Sequence, residues 1–240
     1  MKDKLIFLDT ETTGLDVEDR ICQVAYIVGG EEYNEFFKPE IPIKIEAMSV
    51  THITNKMVED KPRFVGSEMF NHLEELFSNE GILVAHNAKY DSRMLEKEGL
   101  SAKKIICTLK VAQSLDKEGI IPVYKLQYLR YYLGFEIEAS AHDALGDILV
   151  LEKLFERLFD QIKKEGLSDE EVVEKMIDIT SKPILIKKFN FGKYKGKTVE
   201  EVAGIDTGYL QWLLKEKKNN ESDDEDWIYT LEYYLEENNN

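Results

Sequence analysis

Residues 5–16, LIFLDTETTGLD, restrict the fold more than any other stretch of the chain. The first four are all apolar, which is typical of a strand buried on both faces. The run continues directly into Asp9 and Glu11, and their i, i+2 spacing places both carboxylates on the same side of an extended chain. Neighbouring like charges raise each other's energy, so we expect a cation between them.

Hydrophobic patterning predicts an α/β fold with a mixed sheet covered by helices. The Gly29-Gly30 pair is typical of a tight hairpin turn between two strands. Strands are predicted at 4–9, 20–28, 32–37, 82–85 and 105–109, and helices at 67–78, 88–98, 108–115, 125–133 and 143–159. A hairpin followed by strands that alternate with helices indicates the α/β class.

The character of the sequence changes after about residue 160, which predicts three regions. We expect a large first domain at 1–162, a polar linker or docking helix at 163–186, and a small module with an acidic tail at 187–240. The net charge is −16, yet 182–197 holds six lysines and no acid. Phosphate backbones attract lysine and arginine, so this stretch is a candidate nucleic-acid contact within an acidic chain.

Composition indicates a soluble protein of the cytoplasm without a membrane segment. The chain has 43% hydrophobic residues, and no run approaches the roughly 18 apolar residues that a membrane span requires. Asp9 interrupts the first apolar run, so no signal peptide is predicted. Cys22 and Cys107 lie in apolar, strand-like runs, which predicts buried thiols in a reducing compartment.

Two further acids fall on helical stripes that otherwise face the core. Asp91 shares a face with Met94 and Leu95, and Asp147 aligns with leucines at i+4, i+7 and i+11. Taken singly, each is better explained as a partly exposed acid near a helix start, where its charge suits the helix dipole.

Together with Asp9 and Glu11, these acids could supply the oxygen ligands that Mg²⁺ prefers. Two such ions about 3.5–4 Å apart clamp a phosphodiester for attack by water. His142, five residues before Asp147, is the candidate base because a neutral imidazole accepts a proton near pH 7. Its alternative role is a cap of the following helix.

Three motifs, DTET at 9–12, HNAKYD at 86–91 and HDALGD at 142–147, resemble those of the DEDDh branch of the DEDD exonuclease superfamily. The resemblance covers residues 4 to about 160. It implies a ribonuclease H-like fold with a mixed five-stranded sheet, and release of nucleoside 5′-monophosphates from 3′ ends. It also implies two Mg²⁺ ions, with Mn²⁺ as a substitute. By this match the metal ligands are Asp9, Glu11, Asp91 and Asp147, and His142 is the general base.

The same resemblance implies substrate contacts around the metal ligands. These are Thr10, Thr12, Thr13, Leu15, His52 and Asn87. The C-terminal stretch beginning FGKYKGKT resembles the small module of exonuclease X-like proteins, with Lys193 and Lys195 as contacts to nucleic acid. Lysines interleaved with aromatics suit a single strand. The alternative is a solvated lysine loop over a module whose aromatics form its core.

The preferred hypothesis is a 3′–5′ exonuclease that acts on DNA ends, with single strands favoured. Such an activity belongs to DNA repair, replication or proofreading, so a polymerase or repair protein is a candidate partner. An exoribonuclease is the alternative within the same chemistry, because contacts to the 2′ position decide the sugar. A non-catalytic binding subunit would be expected to have lost an acid or the histidine, and all five are present.

Overall fold

The computed structural model describes residues 2–137, 144–219 and 224–237. They fall into two units. Unit 1 holds the described residues of 1–109 and 125–177, and unit 2 holds those of 110–124 and 178–240. Neither unit is therefore a single continuous stretch of chain.

Strands and helices alternate after an initial hairpin, and a short 3₁₀ turn at Lys2–Lys4 precedes the first strand. The strands are β1 (Leu5–Thr12), β2 (Ile21–Val28), β3 (Glu31–Phe36), β4 (Ile82–Ala85) and β5 (Lys104–Cys107). The helices are α1 (Ile45–Thr51), α2 (Asn55–Val58), α3 (Glu68–Ser78), α4 (Ala88–Lys97), α5 (Thr108–Leu115), α6 (Leu126–Tyr132), α7 (Ala144–Lys163), α8 (Asp169–Ser181), α9 (Val199–Ile205), α10 (Thr207–Asn219) and α11 (Glu225–Glu237).

The strands of unit 1 form one mixed sheet in the order β3-β2-β1-β4-β5. The pairs β1–β2 and β2–β3 are antiparallel, while β1–β4 and β4–β5 are parallel. The predicted α/β class and the five-stranded ribonuclease H-like sheet are confirmed. The first sequence motif, DTET, forms the C-terminal half of the central strand β1.

Strand β1 lies in the middle of the sheet and is buried on both faces, as its unbroken apolar run predicts. Ile6 and Leu8 belong to a core cluster with Leu95 of α4. Phe7 lies on the other face and contacts Phe155 of α7 edge-on, with 5.2 Å between ring centroids. Because side chains alternate along a strand, the residues that follow Phe7 at even intervals also face α7.

Helix α4, which carries the second motif, has clear local boundaries. Asn87 precedes it in the left-handed conformation at φ 66°. Gly99 follows its end at φ 96°, a conformation that glycine adopts without strain. Asp91, Met94 and Leu95 are all buried on its inner face. The predicted stripe is therefore confirmed, and the acid on it lies inside the protein.

Residues predicted as a linker are helical for most of their length. Helix α7 continues to Lys163, and α8 buries Val172, Val173 and Met176. The described residues up to 177 belong to unit 1. Residues 110–124, which the sequence placed inside the first domain, belong to unit 2 instead.

The aromatic residues of unit 2 form its core. Phe189 stacks on Trp227 with 5.0 Å between ring centroids, and Phe191 contacts the same indole edge-on at 5.1 Å. Tyr194 contacts Tyr209 in the same way at 5.0 Å. Of the two interpretations left open for these aromatics, packing inside the module is the observed one. They do not form a free stacking surface.

Cys22 and Cys107 form no disulfide and are buried, as expected from their apolar surroundings. Burial raises the pKa of the Cys22 thiol to about 12. No helix among the described residues is long and apolar enough to span a bilayer.

Candidate active site

Three carboxylates meet where β1 ends. Oxygen atoms of Asp9, Glu11 and Asp147 all lie within 4.8 Å of one another. Asp9 and Glu11 come from β1, and their alternation with Phe7 turns them toward α7, which carries Asp147 in its first turn. Two acids spaced i, i+2 on β1 and one acid in the first turn of α7 therefore form a cluster of hard oxygen donors.

The electrostatics of this cluster show that it is unfavourable without a cation. Burial raises the pKa of Asp9 well above its usual range, and the charges of Asp91, Glu11 and Asp147 raise it further. A divalent metal would remove both penalties, because it replaces water as a partner of the carboxylates and cancels their repulsion. The donor set fits Mg²⁺, which binds carboxylate oxygens and keeps several waters.

Asp91 is held beside the cluster by the residue between the two acids of β1. One of its carboxylate oxygens accepts hydrogen bonds from the backbone nitrogen and the hydroxyl of Thr10, at 3.1 and 2.8 Å. Burial raises the pKa of Asp91 to about 7, although both hydrogen bonds from Thr10 act to lower it. Thr10 was predicted as a substrate contact; in the structure it is buried and orients a predicted metal ligand.

Asp147 has a partner that the sequence analysis missed. The side-chain amide of Gln127, on α6, donates a hydrogen bond to its carboxylate. The patterning placed a helix over 125–133, but nothing in it distinguishes Gln127 from other polar residues. Its role becomes visible only once α6 and α7 are packed together.

His142, the predicted general base, lies outside the described residues. Its assignment continues to rest on the HDALGD motif. Helix α7 begins with described residues at Ala144, two positions after it.

The loop after β1 is tied to α4 through Thr12. The Thr12 hydroxyl donates to the carbonyl of Gly14 at 2.7 Å and lies 2.5 Å from the hydroxyl of Tyr90. Tyr90 also donates to the Gly14 carbonyl at 3.0 Å. Tyr90 immediately precedes Asp91 in the second motif, so its hydroxyl links that motif to the loop after β1.

A second network in the same loop surrounds Asp19. Its fully buried carboxylate accepts hydrogen bonds from the Thr13 hydroxyl at 2.7 Å and from Lys44 Nζ at 2.8 Å. Burial acts to raise the pKa of Asp19, but the hydrogen bonds from Lys44 and Thr13 bring it below its usual value. Lys44 Nζ also pairs with Asp16 at 2.7 Å. The hydroxyls of Thr12 and Thr13 therefore stabilise the loop itself.

The remaining predicted contacts in unit 1 are on the surface. Leu15 is 86% exposed at the tip of the loop after β1. His52 is exposed and follows α1 in the left-handed conformation, at φ 59°. Asn87 is exposed at the start of α4. These three side chains are available to a ligand, and their roles as substrate contacts stay predictions.

The two lysines predicted in unit 2 differ in their surroundings. Lys193 pairs with Asp206 at 3.1 Å and lies 4.7 Å from the centroid of the Tyr194 ring. Lys195 is exposed. Lys193 therefore has an intramolecular partner that a phosphate would have to displace.

Comparisons with known proteins match both parts of the chain to families. The family described as Exonuclease matches residues 6–155. A family described as Exodeoxyribonuclease X-like C-terminal matches residues 189–218.

Individual relatives match over different lengths. Exodeoxyribonuclease 10 of Escherichia coli (strain K12) is 34% identical, over 97% of this chain and 99% of that protein. A PolC-type DNA polymerase III of Thermotoga maritima is 33% identical, over 72% of this chain but 13% of the polymerase. The solved structure of exonuclease X in complex with 5′ overhanging duplex DNA has a TM-score of 0.57 and 27% identity, covering 73% of this chain and 99% of that one.

Proposed function

The chain belongs to the exonuclease family and is a 3′–5′ exonuclease, and we propose that it releases nucleoside 5′-monophosphates from the 3′ ends of DNA, preferably single-stranded. The relative that matches along nearly its whole length is named an exodeoxyribonuclease, and the similar solved structure contains duplex DNA with an overhang. Both names favour DNA over RNA.

The observation that carries the proposal is the cluster of Asp9, Glu11 and Asp147 within 4.8 Å. Three carboxylates at such a spacing repel one another, and the raised pKa of Asp9 reflects that cost. A protein that only binds DNA has no need to keep this cost beside a substrate that is itself anionic. Hydrolysis of a phosphodiester with divalent cations does need such a cluster.

Asp9, Glu11, Asp91 and Asp147 would hold the metal, which we propose is a pair of Mg²⁺ ions with Mn²⁺ as a substitute. When bound, these ions supply Lewis acidity toward the scissile phosphate. The chain's own residues fix the ligands: Thr10 holds one oxygen of Asp91, and Gln127 holds Asp147. Neighbours of this kind orient metal ligands and tune their affinity.

Proton transfer is assigned to His142 by the third motif. A neutral imidazole nitrogen would accept the proton of the attacking water. Activity should then fall on the acid side as the imidazole takes up a proton.

The test is degradation of matched oligonucleotides labelled at the 5′ end: single-stranded DNA, duplex DNA with each kind of overhang, and RNA of the same sequence. We expect a ladder that shortens from the 3′ end, release of nucleoside 5′-monophosphates, and complete loss of activity with EDTA. Faster degradation of RNA than of DNA would favour the exoribonuclease alternative. Binding without hydrolysis under any metal would favour a non-catalytic subunit.

A matched pair of variants separates this site from a contaminating nuclease. Asp147→Asn removes one charge of the cluster with little change of shape, and should abolish the ladder. Asp60→Asn makes the same change at an exposed site in the connection between α2 and α3, and should leave the ladder unchanged. Equal activity of both variants would contradict the proposed site.

A further inference from the structure

Helix α6 exposes three tyrosines on one face. Tyr128, Tyr131 and Tyr132 are 39%, 74% and 45% exposed. Their i, i+3, i+4 spacing places them side by side on the helix surface. Large aromatic side chains are usually buried, so a contiguous exposed group of three calls for a ligand. We refer to these three residues as the α6 tyrosine face.

The face begins one helical turn from a contact to the proposed metal site. Gln127 donates its amide hydrogen bond to Asp147. Tyr131 follows Gln127 at i+4, a spacing that brings Cβ atoms to about 5–6 Å on a helix. The face therefore lies within reach of a nucleotide chain whose end occupies the carboxylate cluster.

The rings of the face are held in place before any ligand binds. Arg130 is 7% exposed, its Cζ lies 5.3 Å from the centroid of the Tyr131 ring, and its guanidinium donates to the Ile137 carbonyl. The rings of Tyr128 and Tyr132 lie nearly parallel, at 21°, with 6.0 Å between centroids. Ordered aromatic faces lose little conformational entropy when a flat ligand binds.

The segment that carries the face contains no acidic residue, although the chain as a whole is acidic. Residues 125–135, KLQYLRYYLGF, hold two basic residues and no acid, in a protein of net charge −16. Arg130 is 7% exposed, so Lys125 is the basic side chain at the surface. With no acid in the segment, phosphates would meet little repulsion from it. A segment without acids is suited to an anionic ligand such as a nucleic acid.

We propose that the α6 tyrosine face stacks the bases of the single strand whose 3′ end lies in the carboxylate cluster. The inference rests on the proposed function. It adds a contact that binds the strand next to the reacting end without preference for base sequence. Every base has a flat face, so stacking on tyrosine suits an enzyme that must accept each new terminal nucleotide in turn.

The test is an abasic scan of the substrate. A single abasic nucleotide is moved along a single-stranded DNA from its 3′ end, and Kd for the full-length protein is measured in Ca²⁺ in place of Mg²⁺. We expect wild-type binding to weaken about 5- to 150-fold at one or more positions near the 3′ end, the range expected for loss of one base–aromatic stack. In Tyr131→Ala, binding of the intact strand should weaken and the positional dependence should flatten.

Two further variants make the result specific. Tyr131→Phe keeps the aromatic face and should keep the wild-type profile. Tyr233→Ala removes a tyrosine that is 36% exposed on α11, and should also keep it. A flat abasic profile in the wild type, or an unchanged profile in Tyr131→Ala, would overturn the stacking role.

Failure of this inference is distinguishable from failure of the proposed function. A wild type that degrades DNA with Mg²⁺ but has a flat abasic profile overturns the stacking role alone. A wild type that neither degrades nor binds single-stranded DNA overturns both.

Discussion

Thr10 donates two hydrogen bonds to one carboxylate oxygen of Asp91, from its backbone nitrogen at 3.1 Å and from its hydroxyl at 2.8 Å. Thr10 stands between Asp9 and Glu11 on β1, while Asp91 comes from α4 on the opposite face of the strand. One residue thus joins the first and second motifs. The position of Asp91 relative to the other acids depends on this link.

We predict that Thr10→Val lowers the affinity of the site for Mg²⁺ by about 10- to 100-fold, the usual cost of removing a residue that orients a metal ligand. Valine keeps the shape of threonine but removes the hydroxyl that bonds to Asp91. The measurement is activity as a function of Mg²⁺ concentration. Thr10→Ser, which keeps the hydroxyl, should remain near the wild type. The same Mg²⁺ dependence in both variants would show that the backbone bond alone positions Asp91.

Removal of an acid from the cluster should separate activity from stability. Asp9→Asn, Glu11→Gln and Asp147→Asn should each lower kcat by about 10²-fold or more, because a bound metal contributes several kcal/mol to the transition state. The metal-free proteins should melt at the same or a higher temperature than the wild type, since repulsion is relieved. Stabilisation by added Mg²⁺ should shrink. A variant that is both unstable and inactive would point to a structural role instead.

The metal-free protein should lose stability as pH rises from about 4 to about 7. Some carboxyl groups have a higher pKa in the folded chain than in the unfolded chain, where it is about 3.9. Such a group contributes its full stability below the unfolded pKa. The contribution is lost as pH rises through the folded pKa. Burial places that folded pKa at about 7 for Asp91, and Asp9 is shifted in the same direction.

Urea unfolding in EDTA at several pH values measures this dependence. Asp91→Asn removes one of the groups, so its free energy of unfolding should vary less between pH 5 and pH 7 than that of the wild type. Saturating Mg²⁺ should make the wild type more stable toward neutral pH, because the metal binds the ionised carboxylates. Identical pH profiles for the variant and the wild type in EDTA would contradict a raised pKa of Asp91.

The tight packing of the loop after β1 can be tested at Gly14. A Cβ at this position would lie 2.6 Å from Asp19 Oδ2 and 2.8 Å from Lys44 Cδ. Gly14→Ala should therefore destabilise the protein by about 1–3 kcal/mol, as expected for overpacking. Gly204→Ala on α9 is the matched control, because no atom lies within 4 Å of a Cβ at that position. Alanine is also more favourable than glycine in a helix by about 1 kcal/mol. Chemical denaturation of both variants would show whether the first is specifically costly.

The lysines of unit 2 should contribute unequally to DNA binding. Lys195→Gln should reduce the slope of log affinity against log salt by about 0.7, the value for one phosphate contact to a single strand. Lys193→Gln should reduce it less, because Lys193 already pairs with Asp206. Lys56→Gln, on α2 of unit 1, is the control for a general change of charge. Equal slopes for all four proteins would show that the lysines face solvent only.

The parts of the site that could be predicted from sequence are those that depend on local spacing. The i, i+2 acids of β1 and the buried acid on α4 follow from strand and helix periods, so Asp9, Glu11 and Asp91 were identifiable before any packing was known. Gln127 and Lys44 were not identifiable in this way. Gln127 contacts Asp147, 20 residues away in sequence, and Lys44 contacts Asp19, 25 residues away. A single polar residue on a helix or loop gives no local sequence signal of a long-range contact.

The division of the chain into two units could not be predicted from local sequence patterns either. Composition changes near residue 160, but the helix that follows packs in unit 1 through Val172, Val173 and Met176. Lys110 pairs with Asp226 at 3.3 Å within unit 2. A truncated chain ending near residue 181 would therefore leave 110–124 without the rest of its unit, so point variants test the lysines more cleanly than deletion.

The interleaving of the two units in sequence has a consequence for synthesis on the ribosome. Residues 110–124 emerge early but belong with 178–240, which are made last. At about 5–20 residues per second, this early segment waits roughly three to eleven seconds before synthesis of its partners begins, and roughly six to twenty-three seconds until it ends. Unit 1 has all of its described residues by 177, so it can close first around a segment that remains unpaired. A nascent chain stalled between 124 and 178 would expose that segment to chaperones and proteases, and this places the vulnerable interval of biogenesis in the middle of translation.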